Sequence, residues 1–247
     1  MRLINGDCLE EMKNMSDNSI DFLFADLPYG QTTCKWDCLI DLDLFWKQVN
    51  RICKQEATMA FTCSVKFGNS LINSNPKCFR YDLIWVKSAP CGHLNAKKMP
   101  MKKHEMVYIF YRKLPKVYTE NIALHHTHKF LKETENIVYD QQYKSDLYGE
   151  KTKRDDFKKR KNGESRYTPP LPNTILEIKS EKGKHATQKP IPLMEWLIKY
   201  YTREGDVVLD PTMGSGGTGI ACKNLNREFI GIEKDEEIYK VALERNK

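Results

Sequence analysis

Four residues that follow a short apolar run carry the clearest chemical signal in the chain. The run Ile20–Ala25 is followed by the segment Asp26–Tyr29 and then by Gly30. In order, the four residues of the segment are Asp26, Leu27, Pro28 and Tyr29. They join an acid that accepts hydrogen bonds, a turn stiffened by proline and an aromatic ring, all at the end of a predicted strand. Such a set suits chemistry on the exocyclic amine of a nucleobase, although the string by itself is also an ordinary strand-to-turn sequence.

A second constellation lies far downstream, where the predicted strand Val207–Leu209 ends in the carboxylate of Asp210. The glycines that follow permit a tight turn and a close ligand approach before a helix. A phosphate loop is the rival interpretation, but a Walker-type loop needs a Lys-Ser/Thr ending, which is missing here. About 20 residues further on, the strand Phe229–Ile232 leads to Glu233, where sheets of this kind hold a ribose diol. An acid at each strand tip fits a nucleoside with a cationic amino-acid tail, namely S-adenosylmethionine.

Strands and helices must alternate if these strand tips are to lie side by side. Short apolar and β-branched runs predict the strands Ile20–Phe24, Ala57–Phe61, Tyr81–Val86, Met106–Tyr111, Val207–Leu209 and Phe229–Ile232. Apolar spacing near 3.6 residues predicts the helices Asp43–Ile52, Leu193–Tyr201, Gly217–Leu225 and Glu236–Arg245. The alternation predicts an α/β fold with a mostly parallel, doubly wound sheet.

In these residues the chain resembles the β class of amino-group DNA methyltransferases, the N6-adenine and N4-cytosine enzymes. Asp26–Tyr29 resembles the catalytic Asp/Asn/Ser-Pro-Pro-Tyr motif of that family, and Asp210–Thr218 resembles its cofactor loop. His185–Pro190 resembles the segment that closes over the methionine of the cofactor, and Asn5–Cys8 the strand and turn that contact its adenine. The catalytic motif precedes the cofactor loop, which is the circularly permuted order typical of the class. The matches extend from residue 3 to about 240, apart from a central insertion.

The resemblance implies a Rossmann-like, S-adenosylmethionine-dependent methyltransferase fold. It implies site-specific methyl transfer to N6 of a flipped-out adenine in DNA, with catalytic roles for Asp26–Tyr29. The implied cofactor-binding residues are Asp7, Cys8, Asp26, Lys189, Asp210, Thr212, Gly214, Ser215, Gly216 and Glu233. Asp at the first motif position is typical of the N6-adenine enzymes. The chain departs from the family at Leu27, which replaces a proline whose side chain supplies no chemistry, and at Thr212, which replaces a phenylalanine beside the cofactor.

Other functions stay open at this level. They are N4-cytosine methylation of DNA, adenine methylation of RNA, and a non-catalytic cofactor-binding subunit of a heteromeric methyltransferase. The order of the motifs disfavours RNA, because many RNA enzymes place the cofactor loop first. The intact Asp26 and Tyr29 disfavour a silent subunit. The partners that we expect are DNA and, in addition, a second copy of the chain or a cognate restriction endonuclease.

Basic residues are concentrated in the middle of this 247-residue chain of net charge +7. Residues 77–113 carry nine basic and two acidic side chains, and we expect Asn95–His104 to be a phosphate-contacting loop rather than a merely solvated one. Apolar periodicity fades after residue 113, so we interpret 113–172 as an inserted target-recognition region within a catalytic domain of residues 1–112 and 173–247. The expected nucleic-acid contacts are Lys97, Lys98, Lys102, Lys103, Lys153, Arg154, Lys158, Lys159 and Arg160.

The eight cysteines are scattered and contain no CxxC pair, which indicates free thiols in a reducing compartment. A zinc site is the alternative, but Cys34 and Cys38 lack a second pair at ligand spacing, and His125–His128 has no cysteine nearby. We therefore expect no metal. The sequence shows neither a signal peptide nor an apolar run of about 20 residues, so we expect no membrane partner. The expected setting is the cytoplasm of a bacterium, with a cellular or phage gene and association with the nucleoid through DNA.

Overall fold

The computed structural model describes residues 1–30, 38–118, 172–181 and 189–247, and these residues define the architecture. The strands are β1 (Arg2–Asn5), β2 (Ile20–Ala25), β3 (Cys53–Cys63), β4 (Phe79–Cys91), β5 (Lys102–Phe110), β6 (Ile175–Glu177), β7 (Val207–Asp210) and β8 (Glu228–Glu233). The helices are α1 (Cys8–Lys13), α2 (Leu42–Ile52), α3 (Val65–Ser74), α4 (Ile191–Tyr201), α5 (Gly217–Asn224) and α6 (Glu236–Arg245). A 3-10 helix, His93–Asn95, lies between β4 and β5.

The strands form one sheet in the order β1-β8-β7-β2-β3-β5-β4-β6. Neighbouring strands are parallel except on the two sides of β5, which runs antiparallel to β3 and to β4. The predicted α/β fold with a mostly parallel sheet is therefore confirmed. Because β5 is reversed, its first residues lie at the same edge of the sheet as the last residues of β2, β7 and β8.

Helices cover both faces of the sheet, and the side chains of β2 show why. Leu23 and Ala25 pack into the apolar cluster beneath α1, α2 and α3, whereas Phe22 and Phe24 pack into the cluster beneath α4, α5 and α6. Successive strand residues point to opposite faces, so a strand that is apolar on every residue is buried on both sides. The continuous apolar run that precedes Asp26 thus fixes β2 in the centre of the sheet.

Some elements differ from those predicted. The apolar patterns missed α1, α3, β1 and β6, because α1, β1 and β6 are very short and α3 has few buried apolar side chains. The resemblance of Asn5–Cys8 to a strand and turn of the family is what indicated β1. The strands β3 and β4 continue into polar residues beyond their apolar centres. The prediction that Asn95–His104 is all loop is wrong at its end, because Lys102–His104 belong to β5. Most of the predicted insertion, residues 119–171, lies outside the described residues, so the insertion stays a prediction.

The contact between α3 and the sheet depends on a glycine. A Cβ atom built at Gly68 would clash with the ring of Tyr108, which is 7% exposed and lies on β5. We expect Gly68→Ala to lower the free energy of unfolding by about 1–3 kcal/mol, because a buried aromatic ring has little room to move. Urea unfolding followed by circular dichroism measures the change. Ser70→Ala on the exposed side of the same helix is the matched control, and an equal loss in both variants would contradict the packing argument.

Candidate active site

The tips of four adjacent strands, β1, β8, β7 and β2, open into one cavity of about 770 Å³. This volume lies within the usual range of small-molecule sites. The predicted site residues that line the cavity are Asp7, Cys8, Asp26, Leu27, Pro28, Tyr29, Lys189, Asp210, Thr212, Gly214, Ser215 and Glu233. The structure thus brings together the two constellations that the sequence holds far apart.

Asp26 follows β2, and hydroxyl groups hold one of its carboxylate oxygens. Thr62 Oγ1 donates a hydrogen bond to Asp26 Oδ1 at 2.6 Å. The Tyr29 hydroxyl lies 2.6 Å from the same oxygen and 2.8 Å from the Thr62 carbonyl oxygen, so its one hydrogen can go to either. Burial, followed by the charge of Asp26, raises the pKa of Tyr29, so the hydroxyl remains a donor. The Tyr29 ring packs against Phe67 at 5.1 Å between centroids.

The other oxygen of Asp26 is bound to Lys189, which lies just before α4. Lys189 Nζ donates to Asp26 Oδ2 at 2.6 Å and lies 3.6 Å from Glu105 Oε2. The Lys189 side chain is only 10% exposed. Burial lowers the pKa of Lys189, but Asp26 and Glu105 together raise it above its ordinary value. Lys189 is therefore a buried ammonium group that two carboxylates compensate.

The cofactor loop is folded around Asp210, whose side chain is buried at the end of β7. Its Oδ1 accepts from the Thr212 N–H at 3.1 Å, and its Oδ2 accepts from the Thr218 hydroxyl at 2.5 Å. Burial raises the pKa of Asp210 to about 7, and these hydrogen bonds only partly oppose the rise. Thr212 Oγ1 also donates to the backbone carbonyl of Asp26 at 3.3 Å. Thr212 therefore connects the cofactor loop to the predicted catalytic turn, a contact that phenylalanine cannot make.

The glycines of this loop serve different purposes. Gly214 has a φ of +53°, and a Cβ atom there would meet open space in the cavity. Its N–H donates to Glu233 Oε2 at 3.0 Å. Gly216 does not line the cavity, although the sequence placed it among the cofactor contacts. It caps α5 with a φ of +78°, and a Cβ atom there would collide with the amide of Asn246. Its role in the structure is close packing against α6.

Two further acids that the sequence predicts to bind the cofactor, Glu233 and Asp7, line the cavity. Glu233 ends β8, and its Oε1 accepts from the Asp235 N–H at 2.9 Å. Burial raises the pKa of Glu233, against the effect of its backbone hydrogen bonds. Asp7 caps α1 by accepting from the Leu9 N–H and pairs with Lys234 at 3.1 Å. Backbone donors thus fix the orientation of both carboxylates at the cavity wall.

The predicted phosphate contacts lie beyond the edge of the sheet. Along the chain, Met106 is the first residue of β5 that pairs with β3. The residues before it, Lys102–Glu105, pair only with β4 and extend beyond the end of β3. Lys102 lines the cavity, whereas Lys97, Lys98 and Lys103 are exposed outside it. The other predicted contacts, Lys153, Arg154, Lys158, Lys159 and Arg160, lie outside the described residues. So does His185–Gln188 of the segment that precedes Lys189.

The residues that contact the predicted site residues and that sequence reasoning missed include two threonines and one acid. Thr62 binds Asp26, Thr218 binds Asp210, and Glu105 pairs with both Lys189 and Lys87. Thr62 and Thr218 carry no signal beyond their nearness to a strand end or a glycine loop. Glu105 does carry one, because an isolated acid within a strongly basic segment indicates a local partner.

Neither a metal-binding cluster nor a membrane-spanning helix is found in the part of the chain that the structure describes. No group of three or more His, Cys, Asp or Glu side chains there is arranged to bind a metal ion. No helix among the same residues is long and apolar enough to span a membrane. Cys34 and the histidines at 125, 126 and 128 lie outside the described ranges.

Comparison with known proteins assigns the family. A model of the N6/N4 methyltransferase family, described as DNA methylase, matches residues 20–244. The chain belongs to this family. The match to the N6/N4 DNA methylases includes Asp26, Lys189, Asp210 and Glu233, which are the residues that meet in the cavity. The β-class assignment within the family rests on the resemblance of the motifs.

Individual relatives support the family and differ in length. M.HinfI, a type II methyltransferase of Haemophilus influenzae, is 28% identical over 272 residues, which cover 98% of this chain and 67% of M.HinfI. M.HindIII of the same species is 47% identical over 76 residues, 30% of this chain, and the chain matches only 25% of the length of M.HindIII. A structure of M1.HpyAVI with SAM gives a TM-score of 0.63 at 24% identity, covering 99% of this chain and 98% of that one. The cytosine-N4-specific PvuII DNA methyltransferase gives 0.68 at 16%, covering 98% and 85%.

The pKa of Asp210 makes a prediction about stability. Between about pH 4 and pH 7 the folded protein keeps a proton that the unfolded chain has released, so the stability contributed by this group falls as pH rises. Asparagine cannot ionise, and its amide can still bond to Thr212 and Thr218. We expect Asp210→Asn to raise the free energy of unfolding at pH 8 by on the order of 2 kcal/mol and to change it little at pH 4.

Urea unfolding of the ligand-free protein at the two pH values measures this difference. Asp43→Asn, an exposed acid on α2, is the matched control and should stay within about 0.5 kcal/mol at both pH values. Lower stability of Asp210→Asn at pH 8 would contradict the direction of the pKa shift.

Proposed function

We propose that this member of the N6/N4 DNA methylase family transfers a methyl group from S-adenosylmethionine to the N6 amine of adenine in DNA. One observation carries the proposal. Asp26, at the predicted catalytic turn, opens into the same cavity as the carboxylates of Asp210 and Glu233, and the Thr212 hydroxyl joins the two sides. One cavity thus contains a carboxylate that can accept hydrogen bonds from the amine of a base and a set of acids suited to a cationic nucleoside.

The residues of the cavity fit this cofactor. Asp210 offers negative charge for a cationic amino-acid tail, and Glu233 offers acceptors for a ribose diol. Gly214 leaves open space against its backbone, and Asp7 and Cys8 line the side assigned to the adenine. S-adenosylmethionine supplies an electrophilic methyl group on a sulfonium when bound. We assign Thr212 and Ser215, together with Lys189, to the lining of that half of the cavity.

Asp26 activates the amine by accepting its hydrogen bonds. The nitrogen lone pair of an adenine amine is delocalised into the ring, which makes the amine a weak nucleophile. Hydrogen bonds from its two N–H groups to an Asp26 oxygen and to the Leu27 carbonyl favour sp³ geometry and aim the lone pair at the methyl donor. Orientation of this kind supplies a large part of the rate of a transfer that needs little acid catalysis.

The other residues of the turn fix its shape. Pro28 restricts the backbone so that the Leu27 carbonyl faces the cavity. The Leu27 side chain is 2% exposed and packs in the core, so its part in the reaction is confined to its backbone. We assign Tyr29 to stacking on the base, worth roughly 1–3 kcal/mol. A base within a duplex cannot reach this depth, so the proposal includes base flipping.

We assign two regions to DNA binding. One is the basic tip of the β4–β5 hairpin, which carries Lys97, Lys98, Lys102 and Lys103, and the other is the inserted region 113–172. The tip extends beyond the edge of β3, Lys102 within it lines the cavity, and its lysines can neutralise phosphates of a bound DNA. The inserted region is assigned to target recognition. A cytoplasmic, nucleoid-associated location, a homodimer and a cognate restriction endonuclease belong to the same proposal. The type II methyltransferases among the relatives support the last of these.

Loss of the Asp26 carboxylate tests the catalytic assignment. We expect Asp26→Ala to lower methyl transfer to background, at least about 100-fold, while cofactor binding largely persists. Transfer is measured with methyl-labelled S-adenosylmethionine and unmethylated DNA, and binding is measured by calorimetry.

Removal of the half-buried Asp26 carboxylate also leaves Lys189 with one of its two carboxylate partners, Glu105, so stability must be checked in the same experiment. Asp26→Asn keeps the shape of the side chain and should lose activity with a smaller loss of stability. Full turnover by a folded Asp26→Ala or Asp26→Asn protein would reject the assignment.

N4 of cytosine is the second candidate acceptor, because the fold is shared with the cytosine-N4-specific PvuII enzyme. Digestion of treated DNA and mass spectrometry of its nucleosides separates N6-methyladenine from N4-methylcytosine. The same measurement on RNA tests the RNA alternative. No modified nucleoside despite cofactor binding would favour a non-catalytic subunit.

Salt dependence tests the DNA-contacting tip. Each phosphate contact contributes about 0.9 to the slope of log affinity against log salt concentration. We expect the double variants Lys97→Gln/Lys98→Gln and Lys102→Gln/Lys103→Gln each to reduce the slope by up to about two. Fluorescence anisotropy with a labelled duplex measures the slope.

The matched control is Lys47→Gln/Lys77→Gln, which removes two exposed lysines, one on α2 and one before β4. If the control changes the slope as much as the tip variants do, the hairpin has no special role in binding DNA.

A further inference from the structure

A row of four alternating charges runs along one wall of the cavity. Lys87 on β4 pairs with Glu105 on β5, Glu105 with Lys189, and Lys189 with Asp26 after β2. All four residues line the cavity, and the first three side chains are 10–19% exposed. The row contains two cations and two anions, so it is neutral as a whole and each buried charge has an opposite neighbour.

The row leaves Asp26 with little free acceptor capacity. Thr62 Oγ1 and the Tyr29 hydroxyl lie within 2.6 Å of Oδ1, and the Lys189 ammonium lies 2.6 Å from Oδ2. An incoming amine must therefore compete for an oxygen that already binds a buried cation. A buried ammonium that loses its carboxylate partner costs several kcal/mol unless another anion takes it over.

Glu105 is the anion in position to do so. Its Oε2 lies 3.6 Å from Lys189 Nζ, within ion-pair distance but longer than the bond to Asp26, while its Oε1 is held by Lys87. A small movement of the ammonium exchanges one carboxylate for the other without exposing the charge to water. Lys87 keeps Glu105 in place and leaves Oε2 available.

We propose that Glu105 is a positioning residue that receives the Lys189 ammonium when a substrate amine takes its place at Asp26 Oδ2. The inference rests on the proposed function, because the amine is that of the target base. Asp26 is then released for the base at the moment of binding, and the ligand-free site keeps its charges paired.

A double-mutant cycle tests the handover. The variants are Glu105→Gln, Lys189→Met and their combination, and the readout is the methyl-transfer rate in a single turnover at saturating cofactor and DNA. We expect Glu105→Gln to lower this rate about tenfold, and to lower it less than about twofold in the Lys189→Met background. Glu105→Asp keeps the charge and should restore part of the loss. Glu177→Gln, an exposed acid on β6, is the matched control and should leave the rate unchanged.

A second readout does not depend on catalysis. Acetylation of Lys189 by an amine-reactive reagent at pH 8.5 is followed by peptide mass spectrometry in the ligand-free protein. We expect Glu105→Gln to accelerate it about threefold, because one of the two anions that stabilise the ammonium is gone. The control Glu177→Gln should leave it unchanged.

The outcomes separate the two proposals. If Glu105→Gln lowers the rate equally in the wild-type and the Lys189→Met backgrounds, Glu105 has only a structural role and the inference is overturned. Unchanged acetylation of Lys189 in Glu105→Gln also overturns it. Wild-type protein that transfers no methyl group to DNA or RNA rejects the proposed function. In that case accelerated acetylation still supports the Glu105 contact with Lys189, and unchanged acetylation overturns it.

Discussion

The buried ion pair between Lys189 and Asp26 constrains how the rest of the site is built. An ammonium group at this depth requires carboxylate oxygens within reach, and the residues that form the pairs come from different elements. Asp26 directly follows β2, Glu105 lies near the beginning of β5 and Lys189 lies just before α4. They meet only because β5 runs antiparallel between β3 and β4, which places its first residues at the carboxyl edge of the parallel strands. The reversed strand is thus part of the site as well as of the fold.

The same cavity is also lined by two other acids, Asp210 at the end of β7 and Glu233 at the end of β8. Asp210 and Glu233 are held by hydroxyl and backbone donors, which orient their oxygens but offset only part of the cost of burial. A cationic group brought by a ligand would lower that cost, so cofactor binding and stability are linked. Thr212 connects the loop after β7 with the turn after β2, because its N–H donates to Asp210 and its hydroxyl donates to the Asp26 carbonyl.

Much of this fold could be predicted from local sequence. The apolar run Phe22–Ala25 of β2 and the strands that end at Asp210 and Glu233 are largely buried, and the residues predicted to do chemistry lie at the strand tips. Pattern reasoning failed where the signal is not local. The overhang of β5 depends on pairing with β4 alone, and its residues are polar. Glu105 acts on Lys189, far away in the sequence, and no spacing rule connects them. Gly216 sits in a loop whose neighbouring residues line the cavity, yet a Cβ atom on Gly216 would meet Asn246 instead.

The part of the β4–β5 hairpin that extends beyond β3 can vary in length without disturbing the rest of the sheet. Because Lys102–Glu105 pair only with β4, two residues can be added to or removed from each strand toward the tip without changing any contact of β3. A change of two residues preserves the alternation of side chains between the faces of the sheet, whereas a change of one inverts it. The length of the hairpin tip can therefore change in steps of two residues per strand, independently of the carboxylate chemistry at its base.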